Sequence, residues 1–291
     1  MQFIQFVVNG LIEGVLYSLL AIGFALVYNT TKVFHVAAAG IYVFASVMFY
    51  WFRSSAHLPF LLSAAVAVVL TMVLSWLTEV SVYRPLQRRN ASNNVTMIAS
   101  IGLMTVIVNL LAMFFGTQTM IVDNTTRPSL PLIGDVVLSV RQLWIFAVGC
   151  GVIVAFLFCI ALSGWGTRVR AMSADSVLFE TLGYDVAKSR SLVFLASGAF
   201  IGIASCLKAF DVGFDVQGGM PMLIYAMVAM IIGGMGRFGT CVVGGLAVGL
   251  IQTMTGHFFS DNWRDAIVFT LLLLILLLRP QGIAGYKQRT V

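Results

Sequence analysis

Charge is scarce in this sequence. Only 10% of its 291 residues are Asp, Glu, Lys or Arg, against about 25% in soluble globular domains. With 60% hydrophobic residues and a mean hydropathy of +0.99, so few charges could not cover a soluble fold of this length, and an aqueous globular protein is excluded. Cysteine is sparser still: Cys150, Cys159, Cys206 and Cys241 all fall in apolar segments with no CxxC or Cys/His spacing. They hold no metal and read as packing residues. The three histidines are isolated, and HExxH, GxSxG and Walker A patterns are absent. No catalytic residues are therefore assigned, and if nucleotide energises this protein, a separate subunit must hydrolyse it. Polar linkers are missing too, so residues 1–291 read as one domain. The N-terminus turns apolar almost at once, without a basic n-region or small-residue cleavage site, so no removable signal peptide is expected.

Long apolar runs are what the chain has instead. A bilayer core needs about 20 apolar residues per helix. Candidates lie near Phe6–Tyr28, Val33–Phe52, Leu58–Val82, Val95–Gly116 and Leu143–Leu162, then Leu192–Ala209, Met222–Met235, Gly239–Phe258 and Ala266–Leu278. The expected architecture is an all-α polytopic membrane protein of eight or nine transmembrane helices. The count turns on the second span, whose Val36-Ala37-Ala38-Ala39-Gly40 start reads as a broken or re-entrant piece lining a cavity, and on the short seventh.

The net charge of +6 does not indicate nucleic acid, because the basic residues lie in short clusters between apolar runs. If all nine segments cross, one side holds Lys32, Arg84, Arg88, Arg89, Arg168, Arg170, Lys188, Arg190, Arg237, Arg279, Lys287 and Arg289, which is 12 of the 17 basic residues. The positive-inside rule makes that side cytoplasmic and the N-terminus external. Arg53, Arg127, Arg141, Lys208 and Arg264 stay outside. Three GxxxG pairs, Gly10/Gly14, Gly198/Gly202 and Gly245/Gly249, each put two glycines on one helix face for close packing, within this subunit or against another. Pro221 suits the first turn of a restarting helix after Gly218-Gly219.

Two sequence features bear on function. Glu13 lies inside the first span, where a charged carboxylate costs at least about 2.5 kcal/mol. It lines a pathway or relays protons, or it sits near the outer interface bonded to a neighbouring helix. His35, beside Lys32, reads as a solvated or packing histidine. The second feature is the soluble stretch Ser163–Arg190. Ala174, Val177, Leu178 and Leu182 follow i, i+3, i+4, i+8 spacing, an amphipathic helix that Ser173 or Asp175 can cap and Gly183 can end in a left-handed turn. Its apolar stripe needs a surface: its own membrane domain, the bilayer interface or a partner protein.

The order of motifs resembles the branched-chain amino acid permeases, the LivH/LivM-like group, of bacterial binding-protein-dependent ABC importers, over almost the entire chain. Asn9 to Gly23 is similar to the opening NGxxxGxxYALxAxG, followed by Tyr83-Arg84-Pro85-Leu86 and Ser100-Ile101-Gly102-Leu103. Arg168–Gly183 resembles the segment that docks on the ATPase. Ile232-Gly233-Gly234-Met235-Gly236, Val243 to Gly249, and Arg279-Pro280-Gln281-Gly282-Ile283-Ala284-Gly285 resemble the family's later glycine motifs and its C-terminal RPxGLFG. Two stretches depart from it. His35-Val36-Ala37-Ala38-Ala39-Gly40-Ile41-Tyr42 stands where the family reads NFAHGExY, and Asp215-Val216-Gln217-Gly218-Gly219 replaces NPxxG.

The resemblance implies an inner-membrane permease subunit of an ATP-driven importer for branched-chain amino acids or a related hydrophobic or amide substrate, with urea and aromatic acids open. It implies one cytoplasmic coupling helix, Val169–Tyr184, acting as a rigid unit through Arg168, Arg170, Ala171, Asp175, Val177, Leu178, Leu182 and Gly183. It places the substrate pathway between subunits, near Glu13, Tyr17, His35 and Tyr42, with Gly233, Gly234 and Gly236 letting helices approach. The implied partners are a second, homologous permease subunit forming a heterodimer, two cytoplasmic ATPases, a periplasmic substrate-binding protein and membrane lipid. The chain itself binds no cofactor, ATP and magnesium being used by the ATPases. Read from the residues alone, a secondary transporter or channel that works without ATP, with Glu13 as its coupling carboxylate, stays open.

Overall fold

A computed structural model of the chain describes residues 2–122, 129–131, 137–234, 236, 238–259 and 263–278. Arg127, Met235, Arg237 and the Arg279–Gly285 motif, with the basic residues after it, lie outside the described residues. Among the described residues the regular structure is helical, apart from a short hairpin of β1 (Ser129–Pro131) with β2 (Val137–Ser139), antiparallel with Leu130 opposite Leu138.

At the centre stands α1 (Gln2–Thr31), 30 residues long and enclosed by α6 (Val140–Leu162), α9 (Val186–Val212), α10 (Gly219–Gly233) and α11 (Phe238–Phe258). Its glycines explain why it can be central. Gly10 and Gly14 lie against Leu250 and Leu246 of α11, while Gly245 and Gly249 answer from α11 against Ser18 and Gly14. A methyl group added at Gly245 or Gly249 would overlap α1 backbone. Gly198 and Gly202 of α9 bring its backbone onto Thr71, Met72 and Ser75 of α3 (Phe60–Thr78), where Ser75 Oγ donates to the Phe194 carbonyl at 2.7 Å. All three GxxxG pairs are thus used inside this subunit.

The outer helices are built inside out relative to soluble ones. On α3 the buried residues are Ser63, Ala67, Thr71, Ser75 and Thr78, whereas Leu61, Val69, Val73 and Leu77 face outward. Lipid is as apolar as leucine, so small residues take the helix interface and large ones the bilayer. A π-helical turn (Glu79–Tyr83) carries α3 into α4 (Arg84–Arg88). In that turn Glu79 is buried, 3.3 Å from the Arg84 guanidinium and accepting from Ser191 Oγ at 3.2 Å. Helix α5 (Asn93–Phe115) shows the same outward pattern, with only Thr96, Ser100, Ile107 and Leu111 buried.

The break expected over Val36–Gly40 falls earlier, since Ala38, Ala39 and Gly40 already belong to the helix that follows. Residues 32–37 are non-helical, and Val33, His35, Val36 and Ala37 are buried. Irregular backbone at membrane depth requires protein partners. Ser100 Oγ accepts from the Ala37 amide at 2.9 Å and from Tyr83 Oη at 2.7 Å, and His35 Nδ1 lies 2.7 Å from the same Tyr83 Oη. Helix α2 (Ala38–Ser54) then begins beside the middle of α5, with Gly40 on Ile107. At 17 residues α2 is short for a span, as are the 15 of α12 (Arg264–Leu278). Seven helices among the described residues are long and apolar enough to cross a membrane.

The expected single helix over Val169–Tyr184 is two. Helix α7 (Gly164–Ala174) stops at Asp175, whose backbone is extended (φ −152°, ψ 110°), and α8 (Ser176–Thr181) starts afresh. The cause is Asp175 itself. Its Oδ1 accepts from the Val177 and Leu178 amides at 2.9 and 3.0 Å, offering these groups a cap in place of a continuing helix. Ala174 therefore does not share a helix with Val177, Leu178 and Leu182.

Candidate functional site

On α1, Asn9, Glu13 and Tyr17 recur every four residues and so share one face, beside the glycine face that packs on α11. That polar face fronts a cavity of about 600 Å³. Opposite it, α9 supplies Lys208, Asp211 and Val212 from its last turns, and α6 supplies Gln142 from its first. Pro221, Met222 and Tyr225 come from α10, Gln252 and Thr253 from α11, and Arg264 and Asp265 from the start of α12. Each long helix contributes the end remote from the basic loops, the end that the positive-inside rule assigns to the external side.

Its polar groups are tied in pairs between helices. Lys208 Nζ donates to Glu13 Oε1, joining α9 to α1 in an ion pair whose side chains are only 17% and 21% exposed. Tyr17 Oη donates to Gln252 Oε1, and Tyr225 Oη donates to Asp265 Oδ1. The rings of Tyr17 and Tyr225 lie 5.2 Å apart and form the floor. Beneath them is an apolar layer that includes Leu20, Phe24, Tyr42, Ile201, Met222 and Leu223, with only about 10 Å³ of free space. The cavity thus carries polar pairs in its walls, is apolar below its floor and is closed toward the end that carries the basic loops.

Glu13 and Tyr17 are brought together here, and Tyr42 joins the layer beneath them. His35 lies elsewhere, wholly buried with its ring edge-on to Tyr83 and Phe194 at 5.4 and 5.3 Å. Gly233 and Gly234 sit at the other end of α10, about two turns beyond Tyr225, where Gly233 is packed on the Thr240 backbone and Gly234 adopts φ +103°. The residues that sequence reasoning did not single out for the cavity are Lys208, Asp211, Gln252, Arg264 and Asp265. The signal for Lys208 was the buried carboxylate itself, which requires a cation on a neighbouring helix. Because the polarity comes from these positions, the apolar replacement of residues 35–42 does not make the cavity apolar.

The end that carries the basic loops holds the reverse arrangement. Val177, Leu178 and Leu182 are 70%, 57% and 65% exposed around α8. Phe179 alone turns inward, stacked on Tyr184 at 4.9 Å, with the Arg168 guanidinium 5.6 Å from the Tyr184 ring. Gly183 ends the unit at φ +84°, a conformation costly for residues with a Cβ. Arg168, Arg170, Ala171 and Asp175 are all exposed alongside. Helix α7 is anchored by buried Val169 and Met172 and packs on α1 and α9, and Lys32 Nζ donates to the Ser173 carbonyl at 3.2 Å. Partial burial lowers the ammonium pKa of Lys32 from its ordinary value. At the first turn of α9, Asp185 Oδ1 accepts from the Lys188 amide, chiefly for which reason its carboxyl titrates below the usual range.

Enclosed glycine-packed helices, a lipid-facing apolar exterior and a polar cavity opening on one side define a multi-pass membrane transport protein. No group of three or more potential metal ligands occurs among the described residues. Residues 6–277 match the family described as "Branched-chain amino acid transport system / permease component", and the chain belongs to that family. It is similar to the high-affinity branched-chain amino acid transport system permease protein BraD of Pseudomonas aeruginosa, at 28% identity over 98% of this chain and 96% of that protein. It is likewise similar to the high-affinity branched-chain amino acid transport system permease protein LivH of Escherichia coli, at 25% identity with the same coverage. Among solved structures, PsaBC from Streptococcus pneumoniae in complex with Fab has a chain with TM-score 0.52 at 11% identity, covering 98% of this chain and 94% of that one. That likeness concerns the fold alone.

Proposed function

We propose that residues 1–291 form one permease domain, the non-catalytic membrane subunit of an ATP-driven importer that moves branched-chain amino acids across the bacterial inner membrane. The chain crosses nine times, with α2 and α12 as its shorter spans, the N-terminus outside and the C-terminus inside. A second, homologous permease subunit completes the pathway, a periplasmic binding protein delivers substrate, and two cytoplasmic ATPases bind ATP and magnesium. The α7–α8 unit is the coupling element. Arg168, Arg170 and Ala171 flank the docking face, Asp175 fixes α8, Val177, Leu178 and Leu182 enter a groove of the ATPase, and Gly183 closes the turn.

The observation that carries this reading, beside family membership, is the opposition of the two ends. A polar cavity lies on the external side, and an apolar helix is held exposed on the cytoplasmic side. The packing of α7 on α1, with the Lys32–Ser173 contact, gives ATPase motion a rigid route to the helix that carries Glu13 and Tyr17. Copurification of an ATPase with this chain tests it: Leu178→Asp abolishes both the copurification and substrate-stimulated ATP hydrolysis. Full uptake in cells lacking every candidate ATPase would sink the proposal and leave transport without ATP.

A further inference from the structure

We propose that the external cavity is a recognition site for a zwitterion with an apolar side chain, in which Glu13 and Lys208 exchange their mutual ion pair for the ligand's ammonium and carboxylate. This deepens the importer reading and rests on it.

Packing does not explain the pair. Helices α1 and α9 are already joined by Ser197 Oγ donating to the Gly23 carbonyl at 2.7 Å and by the close seat of Gly23 on Phe200 and Ile201. An apolar pair at 13 and 208 would hold them at no desolvation cost. The charges instead border a cavity whose volume lies in the range of small-ligand sites. Glu13 Oε2 is buried beside it without a hydrogen-bond partner and out of reach of solvent, so the acceptor offered to an ammonium is Oε1, freed when the pair with Lys208 opens. The Lys208 ammonium carries three donors, one of which goes to Glu13 Oε1.

The chemistry of the ligand follows from what each alternative would strand. A lone anion would engage Lys208 and leave Glu13 buried and bare, and a lone cation would do the reverse. An uncharged amide has no use for either charge. A zwitterion satisfies both, and Ile12, Val212, Pro221 and Met222 give the cavity an apolar wall for its side chain.

The assembled membrane complex with its ATPases, purified without a binding protein, provides the test. Binding of L-leucine is compared with isopentylamine, which lacks the carboxylate, and 4-methylpentanoate, which lacks the ammonium. The wild-type complex prefers leucine to both. Lys208→Met abolishes the preference over isopentylamine and weakens leucine about 30-fold, and Glu13→Gln does the same relative to 4-methylpentanoate. The double exchange Glu13→Lys with Lys208→Glu keeps the pair and regains leucine binding, which separates recognition from loss of fold should a single variant fail to assemble. Unaltered preference in assembled single variants overturns the site. So does a wild-type complex that binds none of the three yet imports leucine once its binding protein is added, an outcome that leaves the importer reading standing. A complex that neither binds nor imports leucine overturns both.

Discussion

The two ends of this molecule break the usual rule of burial in opposite directions. Outside, Glu13 and Lys208 are withdrawn from bulk water into the membrane domain. Inside, Val177, Leu178 and Leu182 are held out in water. The difference shows in what each arrangement costs when altered. A buried pair is costly to break because the surviving charge is stranded in a low dielectric. An exposed apolar side chain is nearly free to change, since little of its surface has left solvent. One end should therefore report mutations as instability, the other as lost association.

The sharpest test of that contrast is Lys208→Ala, which leaves Glu13 unpaired and is expected to cost about 3 kcal/mol, the lower end for a buried pair because the cavity admits water. Thermal unfolding in detergent measures it, and neutralising Glu13 as well should return most of the loss. Next comes Tyr17→Phe, which deprives Gln252 Oε1 of its donor and should cost about 1–2 kcal/mol by the same assay. At the cytoplasmic end, Asp175→Ala removes the cap of α8 for about 1 kcal/mol, seen as faster hydrogen exchange at Val177 and Leu178 without a shift in global unfolding. Smallest in stability is Leu178→Asp, within about 0.5 kcal/mol, although ATPase association is lost. A large unfolding shift from Leu178→Asp, or none from Lys208→Ala, would erase the distinction between the ends.

The legibility of the two ends also differed. Asp175, Val177, Leu178, Leu182 and Gly183 lie within nine consecutive residues, so spacing and capping chemistry display the cytoplasmic unit. What spacing concealed was the break at Asp175, because a capping carboxylate and a continuing helix compete for the same amides. The external cavity draws on six helices. Glu13 and Tyr17 could be picked out within α1, but Lys208, Gln252 and Asp265 lie 195, 235 and 40 residues from their partners. No periodicity reaches that far.

By itself the sequence determined that the chain lives in lipid and roughly where its apolar segments fall, gathered its basic residues into a few loops, and marked glycine pairs that would bring helices together. Hydropathy could not determine which helix stands at the centre. The apolar character of α5 is no less than that of α1, yet α1 is enclosed and α5 faces outward along most of its length. Only tertiary structure decided this, because apolar residues are equally at home against lipid and against protein. What separates the two helices is backbone access: Gly10, Gly14 and Gly23 are each in close contact with another helix, and Gly102 of α5 has nothing within 4 Å. The same packing set Lys208 beside Glu13, turning two isolated intramembrane charges into a pair at the edge of a cavity.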